Sequence, residues 1–108
     1  MSISYQEKER IFQLDTPGSS YILGLADEEG FAGNIYYGRR LRKDDFRYLL
    51  RLKEPPFHPS ENCRDRNSFL DSFPMEYPGS SGGDYREGAI RICTKSGRRT
   101  VLSLYKGH

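Results

Sequence analysis

Five prolines (Pro55, Pro56, Pro59, Pro74 and Pro78) crowd into one stretch and constrain this chain more than any other feature. Proline has no amide hydrogen to donate to a central strand, and its ring clashes with the preceding turn of a helix. Lys53 to Gly83 therefore reads as one long irregular excursion, with regular structure confined to its two sides. Connections beyond about 12 to 15 residues without regular structure are functional loops or disordered segments. Phe57, Phe69, Phe73 and Tyr77 supply apolar anchors within this one and point to an ordered loop.

The flanks read as strands. Arg10 to Asp15 alternates about Phe12 and Leu14, and Thr16-Pro17-Gly18 supplies a turn. Ser20 to Leu25 and Phe31 to Gly38 are rich in strand formers, separated by the turn-like Asp27-Glu28-Glu29-Gly30. Three successive antiparallel strands are the simplest account. The segment after Asp44 suits a short helix capped by that residue, with Phe46, Leu49 and Leu50 on one face, and Tyr48-Leu49-Leu50 equally suits a strand. Beyond the excursion, Ala89 to Cys93 and Thr100 to Tyr105 flank the turn Lys95-Ser96-Gly97 as a hairpin. The expected class is mainly β, in antiparallel hairpins.

A chain of 108 residues holds one small core, not two. Seventeen basic against fifteen acidic residues leave +2, too little for a global field toward phosphate or anionic membranes. Apolar runs reach two or three residues where a membrane helix needs about 20, and the start carries no apolar signal core, so a cytoplasmic location without membrane contact is expected. Cys63 and Cys93 lack a Cys-x-x-Cys spacing and have only His58 and His108 to complete a metal set, so both read as reduced thiols and no metal is expected. A mean hydropathy of −0.79 is low for a self-contained domain of this size and suggests apolar faces completed elsewhere.

Four constellations carry possible chemistry. Gly30, Phe31, Ala32 and Tyr36 overlap the aromatic signature of an RNA-recognition motif. Glu29 and Gly33, however, stand where that signature needs a basic and a stacking residue, so an ordinary strand is the better reading. Arg39-Arg40-Leu41-Arg42-Lys43 is offset by Asp44 and Asp45 and reads as a solvated loop, which leaves a small nucleic-acid binder as the weakest functional reading. Gly79 to Asp84 lacks the Gly-Lys-Ser/Thr ending of a nucleotide loop. Asp71, Glu76, Asp84 and Glu87 beside Arg86 contain the residue types of a glycosidase pair, but such pairs must stand about 5 to 5.5 Å apart across a sugar pocket. The plainer reading is a tight loop in which Glu76 and Asp84 accept backbone bonds and Arg86 pairs with one of them.

In order along the chain, Glu76-Tyr77-Pro78 and Gly83-Asp84-Tyr85-Arg86-Glu87 resemble the Glu-Tyr-Pro, Gly, Asp-Phe-Arg signature of one family. It is the N-terminal β-supersandwich domain of the α-galactosidases (melibiases) of glycoside hydrolase family 36. Phe12-Gln13-Leu14 with Ser19-Ser20-Tyr21 resembles that family's opening hairpin. Tyr36-Tyr37-Gly38-Arg39-Arg40-Leu41 resembles its aromatic-Gly-basic segment, and Ser68-Phe69-Leu70-Asp71 the loop before Glu-Tyr-Pro. Two departures are Glu54, where the family more often has Asp, and Gly88, where it usually has Pro.

The resemblance implies one partial domain over residues 1–108, part of a β-supersandwich that precedes a (β/α) barrel absent from this chain. The implied reaction is retaining hydrolysis of terminal α-galactosides of the melibiose and raffinose type, without a cofactor. The catalytic aspartates lie on the barrel, so Asp71, Glu76, Asp84 and Glu87 are not catalytic and the chain alone is expected to be inactive. The resemblance further implies a homo-oligomer, a tetramer in the family. In it the loop from Lys53 to Arg66 reaches a neighbouring subunit's sugar pocket, where Arg66 and Glu54 contact the α-galactoside. Glu76, Tyr77, Asp84 and Arg86 are implied as architecture. The alternative is a stand-alone carbohydrate-binding or interaction module that stacks Tyr36, Tyr37 and Phe57 on sugar faces.

Overall fold

The computed structural model describes residues 1–26, 30–50, 73–79, 86–99 and 102–108. Four strands, β1 (Ser2–Gln6), β2 (Ile11–Asp15), β3 (Ser19–Ala26) and β4 (Phe31–Arg39), form one antiparallel sheet in chain order. The class is mainly β, as the sequence indicates. β2, β3 and β4 are the three expected strands. β1 is an addition, legible afterwards in the alternation of Ile3 and Tyr5 with serines. Its turn to β2 contains no glycine, and Arg10 takes the left-handed conformation at φ 56°, which costs about 1 to 2 kcal/mol for an L-residue.

Alternation along the strands sorts the side chains. Ile11, Gln13 and Asp15 of β2 are buried while Phe12 and Leu14 between them are half-buried. The register Ile11↔Gly24, Gln13↔Ile22 and Asp15↔Ser20 carries the first set onto β3. That face continues to Ala26 and Phe31 and forms a core with Phe73 and Met75, against which Leu50 packs. Ile11 and Ile22 are fully buried, and each contributes about 1.5 to 3 kcal/mol by leaving water. On the opposite face Tyr5 stacks on Phe12 with ring centroids 4.3 Å apart. Tyr105 and His108 close on the same ring at 5.7 and 5.1 Å.

Two expectations are revised. The segment 44–50 contains a short 3-10 turn, Arg47–Leu49, preceded by Phe46 with no side-chain cap. Asp45, rather than Asp44, organises it by accepting from the Arg47 amide at 3.0 Å and its guanidinium at 2.6 Å. The hairpin expected from Ala89 to Tyr105 keeps its turn, where Thr94 N–H donates to the Arg98 carbonyl and Gly97 sits at φ 81°. Among the described residues its arms form no strand. A strand needs a ladder partner and a surface for its apolar positions, and Ile90, Ile92, Leu102 and Leu104 are all exposed. The proline-rich excursion lies outside the described residues except for 73–79, where Phe73 is buried and Tyr77 is exposed.

Candidate functional site

The open edge of β4 is where the excursion returns to the sheet. Asn34 N–H donates to the Pro74 carbonyl at 2.8 Å and Glu76 N–H to the Ala32 carbonyl at 2.9 Å, with Gly33 bridged to Met75 between them. Pro74 contributes only its carbonyl here, so the ring costs no ladder bond. The alternation sends Met75 into the core and Glu76 to the opposite face. There the Tyr21 hydroxyl, reaching across β4 from β3, donates to Glu76 Oε1. Burial first, and this bond second, push the Tyr21 phenol above its ordinary value, while a hydrogen bond with the Asn34 side chain works against the shift.

Arg86 secures the same turn from its other end by donating to the Phe73 carbonyl at 2.7 Å. A charge-assisted bond of this kind contributes about 1.5 to 3 kcal/mol. The Ala89 amide donates to the Pro78 carbonyl at 2.9 Å. Glu76 and Arg86 thus hold backbone and side-chain partners around one turn, and Tyr77 points toward solvent with half its surface exposed.

Both ends of the undescribed stretch 51–72 rest on the sheet at one place. Gly24 of β3 faces Gly33 of β4, and a methyl group at Gly33 would meet Phe73 Cζ at 2.6 Å and Leu50 Cδ2 at 2.9 Å. At Gly24 it would meet Leu50 Cδ1 at 2.4 Å and Ile35 Cδ1 at 2.8 Å. The register shift between Ile22 and Leu23 leaves Ile35 as the extra residue of a bulge, aimed onto Gly24. The two glycines make a floor into which the outgoing foot, Leu50, and the returning foot, Phe73, both fit.

The exit from β4 is pinned by a buried polar network. Ser20 Oγ donates to Asp15 Oδ1 at 2.6 Å and accepts from the Leu41 amide at 2.9 Å. Gln13 Nε2 donates to both Asp15 oxygens, at 3.1 and 3.2 Å, and to the Leu41 carbonyl at 3.1 Å. The Ser20 hydroxyl, and after it the Gln13 amide, hold the Asp15 carboxyl below its ordinary value, with Arg40 and Lys43 adding to the effect.

Arg66, Glu54, Asp84, Asp71 and Phe57 lie outside the described residues. Tyr36 donates to the Arg39 carbonyl and folds back on its own strand, while Tyr37 is 74% exposed. A concavity of about 410 Å³ is lined by Gly79, Ile90, Arg91, Ile92, Cys93 and Arg99, and no carboxylate stands among those described residues. Tyr21, Gln13 and Gly33, read in the sequence only as strand or signature positions, together with Asn34 and Gly24, are the residues that position the excursion. Glycine inside two neighbouring strand patterns was the available signal.

Residues 30–108 match the family model described as the glycosyl hydrolase family 36 N-terminal domain. Over its whole length the chain is 31% identical to the bifunctional alpha-galactosidase/sucrose kinase AgaSK of Mediterraneibacter gnavus, of which it spans 12%. The solved galactosidase domain of AgaSK superposes with a TM-score of 0.80 at 30% identity, over 98% of this chain and 15% of that one. The alpha-galactosidase AgaB of Geobacillus stearothermophilus gives 0.78 at 28%, over 99% and 14%. An AgaA variant from the same organism, solved in complex with raffinose, gives 0.72 at 25%, over 90% and 13%.

Proposed function

Because the chain belongs to the glycosyl hydrolase family 36 N-terminal domain family, we propose that it is the leading β-sandwich part of a retaining α-galactosidase and carries no catalytic group of its own. The acid and the nucleophile then belong to a barrel beyond these residues, in keeping with a chain that spans 12% of its curated relative. The substrate class is a terminal α-galactoside of the melibiose and raffinose type. The chain's own contribution is to oligomer contacts and to the rim of a neighbouring subunit's sugar pocket, through the loop 53–66.

The observation that supports this role is the pair of feet over Gly24 and Gly33. A loop leaving at Leu50 and returning at Phe73 starts and ends on one rigid spot of the sheet. The segment so anchored is the one that carries Arg66 and Glu54. Arg66, always protonated, contacts the sugar by charge-assisted hydrogen bonds and takes no part in proton transfer.

The test is Arg66→Ala in the enzyme that includes the barrel. Losing one such bond, roughly 1.5 to 3 kcal/mol, raises KM by a factor of about 10 or more while kcat falls less. Glu54→Gln acts in the same direction more weakly. Unchanged KM in an intact oligomer overturns the pocket role.

A further inference from the structure

Two buried amide atoms on one side of the sheet have no hydrogen-bond partner among the described residues. Gln13 is 1% exposed, and its Oε1 is an acceptor that receives nothing. Gln6 Nε2 is a donor in the same condition. Buried polar atoms are as a rule hydrogen-bonded, and one left alone costs the fold its full desolvation penalty.

The register sets the two side by side. β1 pairs with β2 as Ser4↔Gln13 and Gln6↔Ile11, and directly opposed residues of an antiparallel pair share a face. Gln6 is therefore the diagonal neighbour of Gln13 on that face, at a spacing of about 7 to 8 Å that long side chains reach across. The Gln13 amide cannot turn round to change this. Its Nε2 donates to both oxygens of Asp15, at 3.1 and 3.2 Å, and to the Leu41 carbonyl at 3.1 Å. The reversed amide would set an oxygen against those three oxygens, so Oε1 stays the unpaired acceptor.

From this we infer that the sheet holds one buried water molecule, which accepts from Gln6 Nε2–H and donates to Gln13 Oε1. Both atoms are closed off from bulk solvent within this chain, so a contact made from elsewhere in a longer enzyme would not reach them. Their common partner has to be small and has to present an acceptor and a donor at one point. Water does both, and an enclosed polar site with two or more hydrogen-bonding groups is where it is retained. Ser4, opposite Gln13 on the same face, offers a third group, since its hydroxyl makes only a 3.5 Å contact with the Gln13 carbonyl. The water extends to β1 the network that runs from Gln13 through Asp15 to Ser20 and the Leu41 backbone. The first strand of the sheet is thereby tied to the exit from its last. The inference uses no residue between Arg51 and Ser72, so it stands or falls apart from the pocket-rim role.

The test is direct. A crystal structure of the enzyme that includes this chain, at a resolution where ordered water is visible, is expected to show one water within hydrogen-bond distance of both Gln6 Nε2 and Gln13 Oε1. Gln6→Met keeps the length of the side chain but withdraws the donor. It is expected to lose that water while Gln13 keeps its bonds to Asp15 and Leu41. The unmodified chain gives a second reading that needs no variant, because nuclear Overhauser transfer from a long-lived water to the Gln6 side-chain amide protons is expected in solution. A direct bond between the two amides overturns the inference, as does a protein donor on Gln13 Oε1, a water that touches only one of the two atoms, or a water that stays in place in Gln6→Met.

Discussion

Gly33 and Phe73 are in contact across the edge of β4 in a way only glycine allows, because a methyl group at position 33 would lie 2.6 Å from the tip of the Phe73 ring. The same methyl would press on Leu50 at 2.9 Å. The return of the excursion to the sheet thus depends on a missing side chain as much as on a buried one.

Gly33→Ala follows directly. Overpacking of this kind costs about 1 to 3 kcal/mol. Gly24→Ala is expected to cost less, since it meets the far ends of Leu50 and Ile35, which can rotate away. Thermal unfolding of the two variants checks the order, and equal Tm values would show that Phe73 is no firmer than the aliphatic side chains.

Tyr21→Phe removes the donor to Glu76 and, with it, a pH dependence. The folded phenol titrates above its ordinary value of 10.0, with burial the larger cause and the bond to Glu76 the next. A raised pKa stabilises the fold fully below the unfolded value and is lost as pH rises through the folded one. At neutral pH the variant is expected to lose about 1 kcal/mol. Its stability between neutral pH and strongly alkaline pH is expected to fall less than that of the unmodified chain. Denaturant unfolding at a series of pH values reads both, and parallel alkaline limbs would remove Tyr21 as their source.

Asp15 works in the opposite direction. Its carboxyl titrates below its ordinary value, through Ser20 first and Gln13 second. A depressed pKa gives stability that is present above the unfolded value and disappears as pH falls through the folded one. Asp15→Asn is expected to lower Tm at neutral pH and to flatten the acid limb below pH 3.8, the ordinary value. An acid limb that keeps its steepness in the variant would assign the acid sensitivity to other carboxylates.

Much of this arrangement was legible in the residues. The alternation around Phe12 and Leu14, the turn at Pro17-Gly18 and the apolar run at Ile22-Leu23 locate β2 and β3 because each signal is local. β1 escaped because its turn is built from Glu7, Lys8, Glu9 and Arg10, with no glycine or proline to mark it. The hairpin arms near Ile90 and Leu102 have strand-like alternation, yet a strand is a relation to a partner, and alternation alone cannot supply one. In the Glu-Tyr-Pro motif, Glu76 was expected to take backbone bonds. Its carboxylate accepts from Tyr21, a residue 55 positions away, and no spacing rule connects the two.

The last expectation joins the sheet to the proposed pocket rim. If Phe73 fixes the returning end of the excursion, loosening it should disturb Arg66 without touching any reacting group. Phe73→Leu keeps an apolar foot but withdraws the ring from Gly33, at a cost of about 1 kcal/mol in stability. In the enzyme that includes the barrel, KM for a raffinose-type α-galactoside is expected to rise and kcat to fall less, because uniform binding is lost rather than transition-state binding. Combining Phe73→Leu with Arg66→Ala separates positioning from mere destabilisation. A foot that acts only through Arg66 adds nothing to KM once the guanidinium is gone, so the double variant should match Arg66→Ala alone. Additive effects on KM would show that Phe73 influences the pocket by another route, and a lost oligomer with lost activity would move the whole excursion from substrate contact to subunit contact.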